Sequence, residues 1–380
     1  MLGKWQVMQH RQIVIVGGGP IGLTLGLFLA KNGISVSILD EGNNNHNDGR
    51  VLALSYASIH MLKEINAWPE HLATPIKEVH ISHSGLGVSN ILSTDVDLPC
   101  LGYTIKYSDI RHKLLEEAKK YTEISLHNCS VNKVIPGKNF ATIEYKNNSE
   151  FSCCTADLAI LAEGGKIKFA NLAYKDYDYV KSAITAEITA SMAHNNIAYE
   201  RFDNDGASVL LPHGDNFVLV WSLPKHEADD IIQNNNLIDR LSRLPFMKRF
   251  GKIQLAGKVY SFPLKLQVAK SRVLDRIVLI GNSAQTLHPI SAQGMNLALR
   301  DAATLSELII SQALNSGNIS NYDKLRKKDA GIVINFTHAL ARFLEYDNKV
   351  INHLRGTGII TLSNFKPLQN MIAGSLIFGN

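Results

Sequence analysis

QIVIVGGGPIGLTLGLFLAKNGISVSILD, residues 12–40, decides the fold class. Residues 12–16 form an apolar run of strand length. Pro20–Lys31 has the length and apolarity of a buried helix, and residues 35–39 form a second apolar run. This is a strand–helix–strand unit of about thirty residues, as a dinucleotide fold requires. Gly17-Gly18-Gly19-Pro20-Ile21-Gly22 joins the first strand to the helix as G-x-G-x-x-G. Gly17 permits the tight turn, Gly19 lets the backbone approach a pyrophosphate, and Gly22 lets the helix pack on the strand. The helix N-terminus turns its positive end toward the phosphates. Asp40, eighteen positions after Gly22, ends the second strand, where a carboxylate can accept ribose hydroxyls. Position alone does not separate FAD from NAD.

A second stretch has the same logic. An apolar strand at 276–280 empties into GNSAQTLHPISAQGMNLALRD, residues 281–301, and a helix begins near Gly294. A strand feeding a loop aimed at a helix N-terminus is how α/β proteins build ligand sites. Two further segments bear on the ligand. Asp48-Gly49-Arg50 precedes VLALSYASIHMLKEI, expected as one amphipathic helix over 51–65. Arg50 can reach back to a pyrophosphate or form a surface salt bridge. LAILAEGG at 158–165 reads as a buried strand ending in Glu163-Gly164-Gly165, another approach of backbone to ligand. A helix is expected at 109–121, and its Arg111 is counted with the cofactor-binding residues.

From Lys181 the texture changes. AITAEITAS, AYERF, ASVLLP and FVLVWSL are short alternating segments split by DNDG and HGDN, which predicts an antiparallel meander. A helix at 227–244 and a strand at 258–264 follow, and α/β texture returns at Ile277. The chain therefore reads as α/β, a discontinuous Rossmann-like nucleotide domain (1–75, 101–178 and 269–320) with an inserted β-rich substrate domain (76–100 and 179–268) and C-terminal helices over 321–380.

The totals fit an ordinary globular protein of 380 residues, with 45% apolar and 19% charged residues. The net charge is +5, and the last sixty-one residues hold eight basic against four acidic residues. That bias suits a solvated helical face, or an anionic membrane surface or an acidic partner. No nucleic-acid motif accompanies it. Cys100, Cys129, Cys153 and Cys154 form neither C-x-x-C nor a zinc pattern, so no metal is expected, and they suit a reducing compartment. Residues 1–12 lack the long apolar region of a signal peptide, and no run of eighteen apolar residues occurs, which gives a cytoplasmic expectation.

Taken together, G-x-G-x-x-G, the mid-chain strand ending in Glu163-Gly164 and the 281–301 run resemble the class A FAD-dependent monooxygenases, the aromatic hydroxylases. DGRVLALS, YERF followed by VLLP, AGKVYSFPL, GNSAQTLHPISAQGMNLALRD and LRGTGI…PLQNMIAG narrow the likeness to the ubiquinone-biosynthesis hydroxylases, over about residues 12–376. The resemblance implies bound FAD, NAD(P)H as reductant, O2, and hydroxylation of a polyprenylated phenol through a C4a-hydroperoxyflavin. It implies that Gly17, Gly19, Gly22, Asp40, Arg50, Arg111, Glu163, Gly164, Asn282, Pro289, Gly294, Met295 and Asn296 bind cofactor. Backbone amides of Gly294, Met295 and Asn296 would face the flavin pyrimidine oxygen, and Pro289 would line the flavin face. His288 would position the phenol, act as a base, or simply pack the loop; no catalytic side chain is assigned. Two segments depart from the family pattern. Asn282 stands where most of the family has Asp, and Glu163-Gly164-Gly165-Lys166-Ile167-Lys168-Phe169-Ala170 replaces D-G-x-x-S-x-x-R. ITLSNFKPLQNMIAGSLIFG at the C-terminus reads as a membrane-surface helix at the inner face or as a helix packed on the body. Ubiquinone-biosynthesis proteins are the implied partners. A sister hydroxylase of another phenol or ring position, a flavin reductase without hydroxylation, and a non-catalytic flavin-binding scaffold remain alternatives.

Overall fold

A computed structural model describes residues 9–42, 49–83, 87–147, 150–203, 206–311 and 316–345. Strand Gln9–Val16 lies between Glu150–Leu161 and Val36–Asp40, parallel to both, with Val16 opposite Leu161 and Leu39. Ile277–Leu279 extends this sheet beyond Glu150–Leu161, and Ile124–Asn128 extends it beyond Val36–Asp40, again in parallel. The apolar reading of the first strand follows from this central place, because a parallel strand is covered on both faces. Ile13 and Ile15 face one side, against helices Pro20–Lys31, Tyr107–Ala118 and Gln293–Ser311. Val14 and Val16 face the other, against Leu39, Val134, Ile143 and Cys154. That second layer comes from an antiparallel excursion, Ser130–Ile135 and Ala141–Asn147, which folds back on Glu150–Leu161. Cys154 is buried there as a small apolar side chain, and all four cysteines are free.

A second, nine-stranded sheet carries the meander. Its centre is Tyr174–Ala190 paired with Asn216–Pro224 and Tyr260–Ala269, and Gly206–His213 and Ile197–Asp203 follow. The order then departs from a meander. Ile197–Asp203 pairs in parallel with Glu78–His83, which pairs with Gly87–Leu92, so an earlier segment completes the sheet. Two-residue strand Gln285–Thr286 adds to the opposite edge, on Gln267 and Val268.

Two element expectations are corrected. Residues 51–65 are not one helix: Val51–Ser55 is a strand paired with Gly102–Lys106, and the helix is Tyr56–Glu64. The Ser55 side chain accepts from the Ser58 amide, an N-cap that fixes the start. The 227–244 helix is two, Lys225–Asn234 and Leu237–Arg243, parted at Asn235 with φ 50°. Asparagine tolerates that left-handed conformation, so the chain turns where the apolar periodicity suggests continuation. No described helix is long and apolar enough to cross a membrane. The C-terminal segment read as a surface helix lies outside the described residues, as do Asp48 and its Asn-rich neighbours.

Candidate active site

One cavity of about 720 Å³ runs from the end of Val36–Asp40, past the N-terminus of Pro20–Lys31, to the inner face of the second sheet. Gly17, Gly19, Asp40, Arg50, Arg111, Glu163, Gly164, Asn282, Pro289, Gly294 and Met295 all line it. Gly22 and Asn296 do not, and both act one step behind the wall.

The phosphate-loop end is built by close backbone packing. Gly17 has φ 108°, and its amide donates to the Leu39 carbonyl at 2.8 Å. A Cβ on Gly22 would lie 2.0 Å from the Gly17 carbonyl oxygen, so any side chain there drives helix from strand. Helix Pro20–Lys31 starts at Gly19 with no side-chain cap and no acidic residue in its first turn. Its first amides therefore look for an acceptor, as an anion site requires. The opposing Tyr107 hydroxyl lies 3.2 Å from where a Gly19 Cβ would stand.

Arg111 ties the second strand to this loop. Its Nη2 donates to Asp40 Oδ2 at 2.8 Å, and its Nε donates to the Gly18 carbonyl at 3.1 Å. Asp40 Oδ1 takes no hydrogen bond from a described residue. Beside it, Ser130 donates to Glu41 and Lys166 pairs with it at 3.3 Å; these contacts hold the Glu41 carboxyl below its usual range. Arg50 stacks its guanidinium 4.7 Å from the Tyr107 ring centre at the cavity wall.

Glu163 behaves differently. Its Oε1 accepts from the Ile167 amide at 2.9 Å, its Oε2 from the Gly165 amide at 3.3 Å, and Ser283 Oγ also donates to it. The extra methylene of Glu over Asp folds the carboxylate back to stitch its own loop to the 281–283 turn. Ile167 packs on the apolar layer, so the position carries no hydroxyl. Lys168 lies over the Tyr174 ring at 4.6 Å and donates to Gln267, which keeps it from the cavity wall.

The third wall is the 281–298 run. Gly281 (φ 58°) donates its amide to Asp301 Oδ2 at 3.0 Å. Asp301 is fully buried; it also accepts from Gln285 at 2.6 Å and from Arg326 Nε at 2.7 Å, and thereby pins the turn that carries Asn282. Asn296 ties the run to the strand before it: its Oδ1 accepts from Ser55 N (2.9 Å) and Ser58 Oγ (2.7 Å), and its Nδ2 donates to Ala53 and Ala292 carbonyls. The Asn296 side chain is thus spent on the scaffold. A Cβ on Gly294 would meet nothing within 4 Å, so the space beyond it is open to a ligand.

His288 is buried, and burial with Lys181 nearby depresses its pKa to about 4, so the ring is neutral. The Ile290 amide donates to Nδ1 at 3.2 Å, which puts the ring proton on Nε2. The Tyr179 ring packs edge-on at 4.9 Å. A proton already sits on Nε2, so His288 can donate a hydrogen bond but is not placed to act as a base.

Sequence reasoning passed over Tyr107, Asp301 and Glu200, which lines the cavity from the second sheet. Glu200 is the acid of YERF; its signal was a carboxylate on the inward phase of an alternating strand.

Comparison with known proteins agrees with this geometry. The ubiquinone hydroxylase UbiL of Rhodospirillum rubrum is 26% identical, with 94% of this chain and 87% of that protein aligned. The 3-demethoxyubiquinol 3-hydroxylase of Escherichia coli is 24% identical over 84% of each. Among solved structures, p-nitrophenol 4-monooxygenase PnpA from Pseudomonas putida superposes with a TM-score of 0.82 at 14% identity, covering 98% of this chain and 99% of that one, a likeness of fold. A family model described as an FAD binding domain matches residues 10–335. With a G-x-G-x-x-G turn, an uncapped helix start and an open wall at Gly294 around one cavity, the chain belongs to this FAD-binding-domain family.

Proposed function

We propose that this protein is an FAD-dependent ring hydroxylase that acts on a polyprenylated phenol in ubiquinone biosynthesis, with O2 and NAD(P)H as co-substrates. The observation that carries the reading is the continuity of the cavity. Its one end has the nucleotide signature, and its other end opens onto Ala207, Val209, Leu211 and Val220, an apolar wall suited to an aromatic ring. The named hydroxylases that align over most of the chain support the substrate class.

Bound FAD would accept two electrons from the nicotinamide and activate O2. The chain's own residues do the rest. Amides at the start of Pro20–Lys31 would hold the pyrophosphate; Asp40, steadied by Arg111, would take the ribose; Arg50 would lie beside the cofactor. The N-terminal amides of Gln293–Ser311 would be placed to face the ring system, where preorganised donors favour negative charge at no reorganisation cost. Asn282 would accept or donate at the ribityl chain, and Pro289 would line the ring face. The apolar wall keeps water from the reacting oxygen. Nε2–H of His288 is available to orient the phenol oxygen. Contact with a membrane surface through residues 357–380, and with other ubiquinone-biosynthesis proteins, belongs to the same reading. So does the division of the chain into a cofactor-binding part and a substrate part.

A second reading, a flavin-binding scaffold, draws on the inward-folded Glu163 and the apolar Ile167, which leave the nicotinamide without the family's polar contacts. Anaerobic reduction separates the two. FAD-loaded protein is mixed with NAD(P)H, with and without a methoxy polyprenylphenol. Flavin bleaching accelerated by the phenol, then hydroxylated product on admission of air, is the expected result. A bound flavin that no nicotinamide reduces overturns the hydroxylase reading.

A further inference from the structure

Strand Ile197–Asp203 alternates. Tyr199 packs into the core behind the sheet, and Arg201 lies 5.1 Å from the Phe246 ring centre on that same side. Ala198 and Phe202 belong to the apolar clusters of the opposite, inward face. Glu200 falls between them on the inward phase and lines the cavity with Ala207, Val209, Leu211, Val220 and Ser222. A carboxylate placed where the pleat calls for an apolar side chain has a cost, and that cost is ordinarily offset by a partner. No hydrogen bond or ion pair joins Glu200 to another described residue. The other cavity carboxylates are all engaged: Asp40 by Arg111, Glu41 by Ser130 and Lys166, Glu163 by its own loop.

We propose that Glu200 is the group that binds the phenol hydroxyl of the substrate and takes its proton as the ring is hydroxylated. This rests on the hydroxylase reading above. The phenol O–H bond breaks and an O–H bond forms on Glu200, so the ring becomes the more electron-rich phenolate. After oxygen transfer the ring carbon gives up its own proton to the second oxygen atom of O2, which leaves as water, and Glu200 returns the first proton to the phenolate oxygen. No net proton or electron is consumed by the relay.

The surroundings favour such a role. Burial in the apolar wall raises the Glu200 carboxyl to about 7, and no charged group contributes to the rise. The paired strands set Val209 and Ile81 opposite it. His288, neutral, lines the same cavity. Helix Ser316–Glu345 reaches the same apolar cluster through Leu340, and its His338 is bonded to Tyr179 at 2.8 Å. A base poised near the working pH gives most to proton transfer.

The test compares FAD-loaded wild type with Glu200→Gln, which keeps the shape of the side chain. Without NAD(P)H, the dissociation constant of a methoxy polyprenylphenol is read from perturbation of the flavin spectrum between pH 5.5 and 9. Wild type should bind about tenfold more tightly above pH 7 than below pH 6, because the ionised carboxylate makes a charge-assisted hydrogen bond. Glu200→Gln should be flat. In turnover, Glu200→Gln should lose about 10²-fold in hydroxylation at pH 7.5. It should lose the acid limb near pH 7 and recover with a ring-fluorinated phenol of lower pKa. A wild-type affinity that is flat through pH 7 overturns the proposal, whether or not the enzyme hydroxylates. So does a Glu200→Gln loss that is the same at every pH and with both phenols. A titrating affinity in a protein that never hydroxylates leaves Glu200 as the phenol ligand and overturns the hydroxylase reading instead.

Discussion

Asp301 is the residue whose loss should be felt both in the fold and at the cofactor. It is fully buried, and it accepts from the Gly281 amide, from Gln285 and from Arg326, which is itself 3% exposed. Asp301→Ala leaves a buried guanidinium with Asp329 as its remaining acidic partner and orphans two donors. Removing one member of a buried ion pair costs about 3–5 kcal/mol. A chain of this length unfolds with an entropy of about 0.8 kcal/mol per kelvin, so the melting temperature should fall by about 4–6 °C. The Gly281 turn would no longer be held, and flavin affinity should fall with it, since Asn282 stands on that turn. Asp301→Asn keeps an acceptor oxygen and should lose about half as much. The assay is thermal melting of apo and FAD-loaded protein, followed by flavin titration. An Asp301→Ala protein that melts within a degree of wild type and binds FAD unchanged would show that the network is incidental.

Two other outcomes follow from the site. Gly19 has φ −75° and ψ 177°, a backbone that any residue adopts, so Gly19→Trp should fold while filling the phosphate approach; a yellow mutant protein would remove the dinucleotide reading. His288 has a folded pKa near 4, below its unfolded value, so the unfolded chain binds its proton first as pH falls. Its contribution is complete above about pH 6.5 and declines toward pH 4, by on the order of 2 kcal/mol. Chemical denaturation of wild type and His288→Gln at pH 7 and 4.5 checks this, and parallel losses in the two proteins would refute it.

What could be read from the sequence was what is local. The first strand, its glycine turn, the helix and Asp40 lie within thirty residues, and each step constrains the next. The 281–301 run was equally plain as a loop into a helix. Long-range facts were not legible. Arg111 was counted with the cofactor residues, but its bond to Asp40 across 71 positions was not legible. Residues 51–55 have an apolar content that suits helix or strand, and pairing with Gly102–Lys106 decided it. Asn296 was read for its backbone amide, whereas its side chain binds four groups on three segments. Glu200 required knowledge of which phase of its strand looks inward. That phase depends on pairing with Gly206–His213 and with Glu78–His83, the latter more than a hundred residues earlier.

The two-residue strand at Gln285–Thr286 has a consequence for anyone who would redesign this protein. It fastens the loop proposed to serve the cofactor to Gln267 and Val268, on the edge of the sheet proposed to hold the ring. Substitutions along that edge will disturb both jobs at once and confound any screen for new specificity. The interior of the same sheet is different ground. Val209, Leu211, Val220 and Ser222 project into the cavity from strands that do not pair with the loop. A library confined to those four positions would vary the ring's surroundings while the cofactor cradle stays a constant background.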